Sequence, residues 1–595
     1  MKNIHTFHIP VLGLAFSIDT PIKVARFGIS SVISIVEDKL IELMRKHYYP
    51  IAGKTYFPIS TEETDYRAKR ITDYLNLVNE IVELQLVKLK MEQFVEGSEI
   101  VKYFEMLAND HELKRKYVDM CHMEDGYTKL KTQDYLRTQI RAGSIDVNIM
   151  TKVDKDQYDL NGNIIEDGSD AVSALRGYAH CNLRNSSIVF SAGMNPRVYN
   201  YLLQWKEFDI DENGTFNKKI VIKVSDFRSA LIQGKYLAKK GLWVSEYRIE
   251  SGLNCGGHAF ATDGYLLGPI LEEFKRQKEE LIRTIFEIYN EVLKVKYKKS
   301  FKYPPNVSFS VQGGIGTYEE QQFLLHYYQM DSIGWGTPFL LVPEATTVDD
   351  VTLNLLSNAK KEDICLSNNS PLGIRFHYLK GTTSEMEKNN RIHKKSPGSP
   401  CIEKHLAFNT EFTKEPICVA SKKYQKLKLA QLNSFQLSES DFLMQVDEVL
   451  AKECLCVGLS NSAAINYNIP FIKNLPSVTI CPGPNIVNFS KVVNLETMVS
   501  HIYGRLNIIS NNERPNMFLA EINLYIDFIR EQFNKDLVSG QLTKRKKYYD
   551  TFFANLLNGI EYYINLAKEQ LVFSKEFTEG LKEAHKRLEI LCLGV

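Results

Sequence analysis

Through residues 1–340, short apolar runs bounded by Gly, Pro, Asn or Asp alternate with stretches of helical periodicity, the order expected of parallel βα units. Eight such runs, at 10–16, 31–36, 145–150, 187–191, 220–224, 242–247, 307–312 and 332–335, match the strand count of one (β/α)8 TIM barrel. Helix signals between them agree. Thr317 with Glu320 forms a capping box after the seventh run, and Ser225 or Asp226 can cap a helix that stops at Gly241. The predicted fold class is therefore α/β.

At 595 residues the chain is long for a barrel, and the excess falls in two places. About 110 residues separate the second run from the third, and Ile71, Leu75, Val78, Val82, Leu86 and Leu89 follow a Ser60/Glu63 box at helical spacing. This helix either packs on the barrel side or presents a partner or dimer surface. Beyond residue 339 a polar stretch carrying His393-Lys394-Lys395 leads into helical periodicity, with Phe518, Ile522, Tyr525, Ile529 and Phe533 on one face and Tyr549, Phe553, Leu557 and Tyr563 on another. The expected domains are a barrel over 1–40 and 140–355, a helical insertion over 41–139, a post-barrel linker over 356–425 and a mainly helical C-terminal domain over 426–595.

Composition excludes several classes. The chain is 44% hydrophobic and 24% charged, so it is globular, and 73 basic against 72 acidic residues leave no net field for nucleic acid or an anionic membrane. Ten cysteines are too sparse for a disulfide scaffold, which points to a reducing cytoplasm. No eighteen apolar residues run together, and 9–16 lacks the basic flank and cleavage site of a signal peptide. The expected partners are a small-molecule or acyl substrate and a second copy of the chain.

Chemistry concentrates at Glu250-Ser-Gly-Leu-Asn-Cys-Gly-Gly-His258, directly after a strand. Gly256 and Gly257 allow close backbone approach to a ligand, and His258 stands at the rim where barrel enzymes place their chemistry. A histidine there suits hydrogen bonding to a substrate oxygen or proton transfer near neutral pH. Gly313-Gly314 after the seventh run and Gly334-Trp-Gly336-Thr337 after the eighth fall where barrels commonly cradle a phosphate.

Together these motifs resemble the nitronate monooxygenase (2-nitropropane dioxygenase-like) family of FMN proteins: Gly256-Gly257-His258, Gln312-Gly-Gly-Ile-Gly316, Gly336-Thr337-x-Phe339, the opening 9–16 segment and Val147-Asn148. A second resemblance, over Ala359–Ser367, Leu372-Gly373 and Leu379–Thr382, is to the enoyl-reductase subunit of polyunsaturated fatty acid synthases. The first implies an FMN-dependent monooxygenase that oxidises a nitronate or similar carbanion with O2; the second implies an FMN-dependent enoyl reductase using NAD(P)H as external reductant. A non-catalytic barrel scaffold is the third reading. Either resemblance implies FMN phosphate at Gly313, Gly314, Gly336 and Thr337, its ring against Ala15 and Phe16, and His258 catalytic beside the ring. Lys223 would sit near the edge that becomes negative on reduction, and Asn148 and Gln312 would hydrogen-bond the ring, with Ser191-Ala192-Gly193 lining the pocket. No Gly-x-Gly-x-x-Gly follows a strand, so a nicotinamide must enter the same pocket.

The chain departs from the family wording at Leu253-Asn254-Cys255, which makes Asn254 and Cys255 candidate substrate-pocket residues; Cys255 is either an active thiol or a small wall residue. Cys401, Cys418, Cys454, Cys456 and Cys481 fall within about eighty residues, open to zinc or an iron–sulfur cluster as the alternative to core packing. Asp209-x-Asp211-x-Asn213-Gly214 opens like a calcium loop, but Ile220 stands where the bidentate Glu belongs, so a β-turn is expected. Lys544–Lys547 reads as a solvated face.

Overall fold

The computed structural model describes every residue except 1–3, 152, 160, 192, 470–474, 571–572 and 594–595. Eight parallel strands close into one barrel in sequence order: β1 Phe7–Ile9, β2 Ser30–Ser34, β3 Ile145–Ile149, β4 Ser186–Phe190, β5 Lys218–Val224, β6 Val244–Glu250, β7 Ser308–Gln312 and β8 Ser332–Gly334. Ring closure runs through Phe7 beside Ile333 and His8 beside Gly334. Seven strands lie where the apolar runs place them, within a few residues. The first does not: β1 precedes the run at 10–16, which is instead the loop leaving β1. That loop is apolar because it is enclosed between the barrel and the layers above, where Phe16 packs with Leu340, Leu341, Val478 and Ile486.

Alternation along the strands puts one set of side chains inside. Val32, Val189 and Val221 fill one side of the barrel with Val11 above them. The opposite side is ionic: Arg248 donates to Glu246 at 2.9 Å and faces Asp146 at 3.7 Å, while Ser310 donates to Glu246 at 2.5 Å. Burial raises the Glu246 carboxyl, but Arg248 with His8 and Ser310 outweighs it and holds the group below its usual range, whereas burial raises Asp146 to about 6 and lowers the neighbouring His8 to about 3. His8 is therefore neutral at pH 7.

The insertion helix Tyr66–Met91 packs on the barrel side through Ile71, Leu75 and Val78, each fully buried and contributing on the order of 1.5–3 kcal/mol. A Cβ on Gly177, in the helix that follows β3, would lie 2.8 Å from the Ile71 side chain, so the two helices are in direct contact. Ser60 and Glu63 form the turn before this helix and not its cap, which is Asp65. Thr317 and Glu320 make the predicted capping box, and Asp226 caps the helix Phe227–Ala238. Asp211 closes a tight turn by accepting from the Asn213 and Thr215 amides, as the β-turn reading expects.

After the barrel, β9 Ile364–Ser367 and β10 Phe376–Leu379 form an antiparallel pair laid on the barrel mouth. Phe376 bridges to His258, and His377 donates to the Leu253 carbonyl at 2.8 Å. An ionic clasp fixes the same segment. His405 lies 2.6 Å from Glu37 and 3.7 Å from Asp170, while Lys39 pairs with Glu403 at 2.7 Å. Three long helices, Met517–Val538, Leu542–Glu569 and Lys575–Cys592, complete the chain, and Phe518, Ile522, Tyr525, Ile529 and Phe533 are all buried. Among the described residues, no helix is long and apolar enough to cross a membrane.

Candidate functional site

A cavity of about 620 Å³ opens at the C-terminal ends of the strands, within the range of small-molecule sites. It gathers Asn148, Ser191, Lys223, Asn254, Cys255, Gly256, Gly257, His258, Gln312, Gly313, Gly314, Gly336 and Thr337 on one wall system. Ala15 and Phe16 are not on it. Both are fully buried beneath the loop, and the positions facing the cavity are Pro10 to Leu14. The shift follows from β1 ending at Ile9: the chain passes over the cavity earlier than a strand at 10–16 would allow. Ala192 lies outside the described residues.

At the barrel axis, Lys223 lies 3.2 Å from Glu250, whose Oε1 also accepts from Gln312 Nε2 at 2.6 Å. That bond fixes the Gln312 amide and leaves its Oε1 buried with no partner, as is Asn148 Oδ1. An unpaired buried acceptor costs about 1–3 kcal/mol, which a ligand donor would recover. The site thus offers two amide acceptors and an ammonium whose charge is compensated by Glu250.

The turns after β7 and β8 form the other end. Among the described residues, the amides of Gly313, Gly314, Ile315, Gly336 and Thr337 have no protein acceptor. The next two amides are used, since Gly316 N and Thr317 N both donate to Glu320 Oε2. Arg514 pairs with that carboxylate through both terminal nitrogens at 2.8 Å and donates to the Gly314 carbonyl at 2.9 Å. Glycine at 314 answers to packing as well as to any ligand: φ is +81°, and a Cβ would sit 2.0 Å from Asn254 Nδ2. Thr337 Oγ1 accepts from Gly483 N at 3.1 Å, which leaves its proton to donate.

His258 stands on the wall with Nε2 2.6 Å from the buried Ser370 hydroxyl and its ring 5.0 Å from Phe376. Burial raises the Cys255 thiol, and its sulfur donates weakly to the Gln312 carbonyl, so it is a wall residue and not an activated thiolate.

Cys401, Cys418, Cys454 and Cys456 share an apolar cluster with Leu406, Ala420 and Leu455, with Cys481 at its border on the cavity wall. Among the described residues, no three of these sulfurs come close enough to hold one ion; the only group that does is Glu37, Glu403 and His405, already engaged in the clasp. Within the cluster, a hydrogen bond from Cys418 lowers Cys401 to about 7, and Cys418 is raised in turn.

Sequence reasoning missed much of the roof: Leu372, Ile374 and Phe376 from the post-barrel segment, Leu459, and Cys481 to Gly483 with Asn485. Pro482-Gly483-Pro484 was the one local signal, a punctuated turn inside a helical region. Glu250 opens the Glu250–His258 motif, yet its pairing with Lys223 and Gln312 has no signal in the local spacing.

The fold is a (β/α)8 barrel with a cavity at its C-terminal mouth, roofed by residues of the later segments. Similar solved structures include FabK from Thermotoga maritima, 13% identical over 63% of this chain and 80% of that one, with a TM-score of 0.30. The enoyl reductase domain of MlnA from Bacillus amyloliquefaciens is 14% identical over 69% and 87%, TM-score 0.33. A nitroalkane oxidase from Streptomyces ansochromogenes is 10% identical over 64% and 84%, TM-score 0.27. No family model and no curated protein matches the sequence.

Proposed function

We propose that this chain is an FMN-dependent oxidoreductase that reduces the carbon–carbon double bond of an unsaturated acyl substrate. The residues present fit the cofactor. Five amides without acceptors and the Thr337 hydroxyl suit a phosphate; Asn148 Oδ1, Gln312 Oε1 and Lys223 suit the donor and acceptor edge of a flavin. When bound, FMN supplies two-electron transfer between an external nicotinamide and the substrate.

The observation that favours an acyl substrate over a nitronate is the wall added by the post-barrel segment. Leu372, Ile374 and Phe376, with Met150 and Leu459, make that side apolar, as a hydrocarbon chain requires. A nitronate is a small anion, and this wall offers it no counter-charge. His258 lies on the cavity wall beside the Gly256-Gly257 turn, held from behind by the buried Ser370 hydroxyl, where its ring can meet a substrate carbonyl.

The test begins with the absorption spectrum of the purified protein and identification of any released cofactor. Oxidation of NADH or NADPH dependent on a 2-enoyl thioester is the expected result. Oxygen uptake driven by a nitronate with no enoyl turnover would replace this reading by the monooxygenase one. A colourless protein that takes up no FMN would end both.

A further inference from the structure

Reduction of a double bond adds a hydride and a proton, and the proton must come from the chain or from water. Glu521, on the helix Met517–Val538, is 1% exposed. Its Oε1 lies 2.5 Å from Ser251 Oγ and its Oε2 accepts from the Leu267 amide at 2.8 Å. Ser251 is on the cavity wall, one residue past β6, so the carboxyl is one hydroxyl away from the ligand site. Asn254 N donates to the same Oγ at 3.1 Å, which fixes the serine rotamer with its O–H directed at Glu521 Oε1.

A buried carboxylate normally has a cation beside it. Glu521 has none among the described residues: the titratable groups that face it are Cys255, Tyr525 and Tyr563, all uncharged at neutral pH because burial raises each of them. Burial likewise raises Glu521, to about 7, against the lowering from the Ser251 and Leu267 hydrogen bonds. Such a group holds a proton near neutral pH and can release it. Its other oxygen holds the Leu267 amide at the start of the helix Leu267–Tyr297. The Tyr525 hydroxyl is also buried without a partner and lies against Gly252, where a Cβ would come within 2.4 Å of it.

Resting on the enoyl-reductase reading, we propose that the Glu521 carboxyl, acting through the Ser251 hydroxyl, supplies the proton that completes substrate reduction. The balance is as follows. NAD(P)H is the reductant and provides the hydride equivalent to one alkene carbon as the π bond breaks; the other carbon takes the Ser251 hydroxyl proton, and Glu521 re-protonates Ser251 as its own O–H breaks. The carboxylate regains a proton from solvent between turnovers. Ser251 is the group that meets substrate, and Glu521 positions and recharges it.

Two variants test this on the full-length protein loaded with FMN: Glu521→Gln, which keeps size and hydrogen bonding but cannot titrate, and Ser251→Ala. Wild-type turnover of a 2-enoyl thioester should decline above pH about 7, and both variants should lose that limb and slow by about 10²-fold or more. FMN content and the rate of FMN reduction by NAD(P)H should stay unchanged, because that step takes no proton from Ser251. An independent readout needs neither cofactor nor turnover: infrared titration of the cofactor-free protein should show, beside the Asp146 carboxyl, a second protonated-carboxyl band at pH 6 that fades above pH 7 and is lost in Glu521→Gln while that of Asp146 remains. An unchanged pH limb in Glu521→Gln, or a wild-type protein without that band, overturns the proton path while leaving the enoyl reductase standing. Failure of the wild type to take up FMN, or to reduce any enoyl thioester, overturns the functional reading first, and the proton path with it.

Discussion

Gly314→Ala separates the two demands made on the turn after β7. Gly314 has φ +81°, so any L side chain costs about 1–2 kcal/mol in left-handed strain. The new Cβ would sit 2.0 Å from Asn254 Nδ2, a contact that can be relieved only by turning that amide away. Asn254 then stops donating to the Met517 carbonyl, a buried bond of 3.2 Å, and the orphaned acceptor adds about 1–3 kcal/mol. The sum is about 2–5 kcal/mol. Gly53 is the internal control, since its φ is +71° and nothing lies within 4 Å of its Cβ, so Gly53→Ala should pay the backbone strain alone. Urea unfolding followed by the fluorescence of buried Trp243 and Trp335 should give a lower midpoint for Gly314→Ala than for Gly53→Ala at equal slope. FMN affinity supplies the second comparison. Displacing the Gly314 amide should weaken FMN by about tenfold or more, roughly 1.4 kcal/mol, with no change in Gly53→Ala. Equal midpoints would refute the packing argument. A destabilised Gly314→Ala that binds FMN as tightly as the wild type would refute the phosphate placement.

His258→Ala should retain FMN but lose about 10²–10⁴ in enoyl turnover, measured in steady state, because it removes a group on the substrate wall and none at the phosphate end. Lys223→Met should keep FMN bound and make its reduction potential more negative, by about 30 mV for each 1.4 kcal/mol of lost charge stabilisation; a dye-coupled redox titration reads it. His405 should make the clasp pH-dependent. Burial lowers its pKa, but Glu37 and Asp170 outweigh this and raise it to about 10, against 6.5 unfolded. The bound proton stabilises the folded chain fully below 6.5 and is lost as pH rises through 10, so thermal stability should decline over that window in the wild type and lack this component in His405→Gln.

What was legible in the sequence, and what was not, divides by the distance between contacting residues. β2 to β8 are legible because each is short, carries Val or Ile and is bounded by polar or turn residues, and the glycine turns after β7 and β8 sit at fixed offsets from those strands. β1 was misplaced because periodicity cannot tell a buried loop from a buried strand: Pro10 to Leu14 line the cavity floor and are as apolar as Phe7–Ile9. His5 and His8 further disguise the true strand, since both are buried and hydrogen-bonded inside the fold, the first to Tyr503 and the second to Ser332.

The roof of the site was not legible for a different reason. His258 meets Ser370 across 112 residues, and Ser251 meets Glu521 across 270, so no spacing within a motif encodes either pair. Yet both later segments are required by chemistry visible at the barrel rim. Glu320 caps its own helix with a carboxylate that would be uncompensated there, and Arg514 neutralises it through two hydrogen bonds with both side chains about 95% buried. A buried pair of this kind is costly to break, about 3–5 kcal/mol, which ties residue 514 to the turn that carries Gly314. The same contact closes the cavity beside the turn after β7, as Gly483 on Thr337 does after β8. The helical region is therefore a wall of the site, and the polar residues it contributes are to be counted with those of the strands.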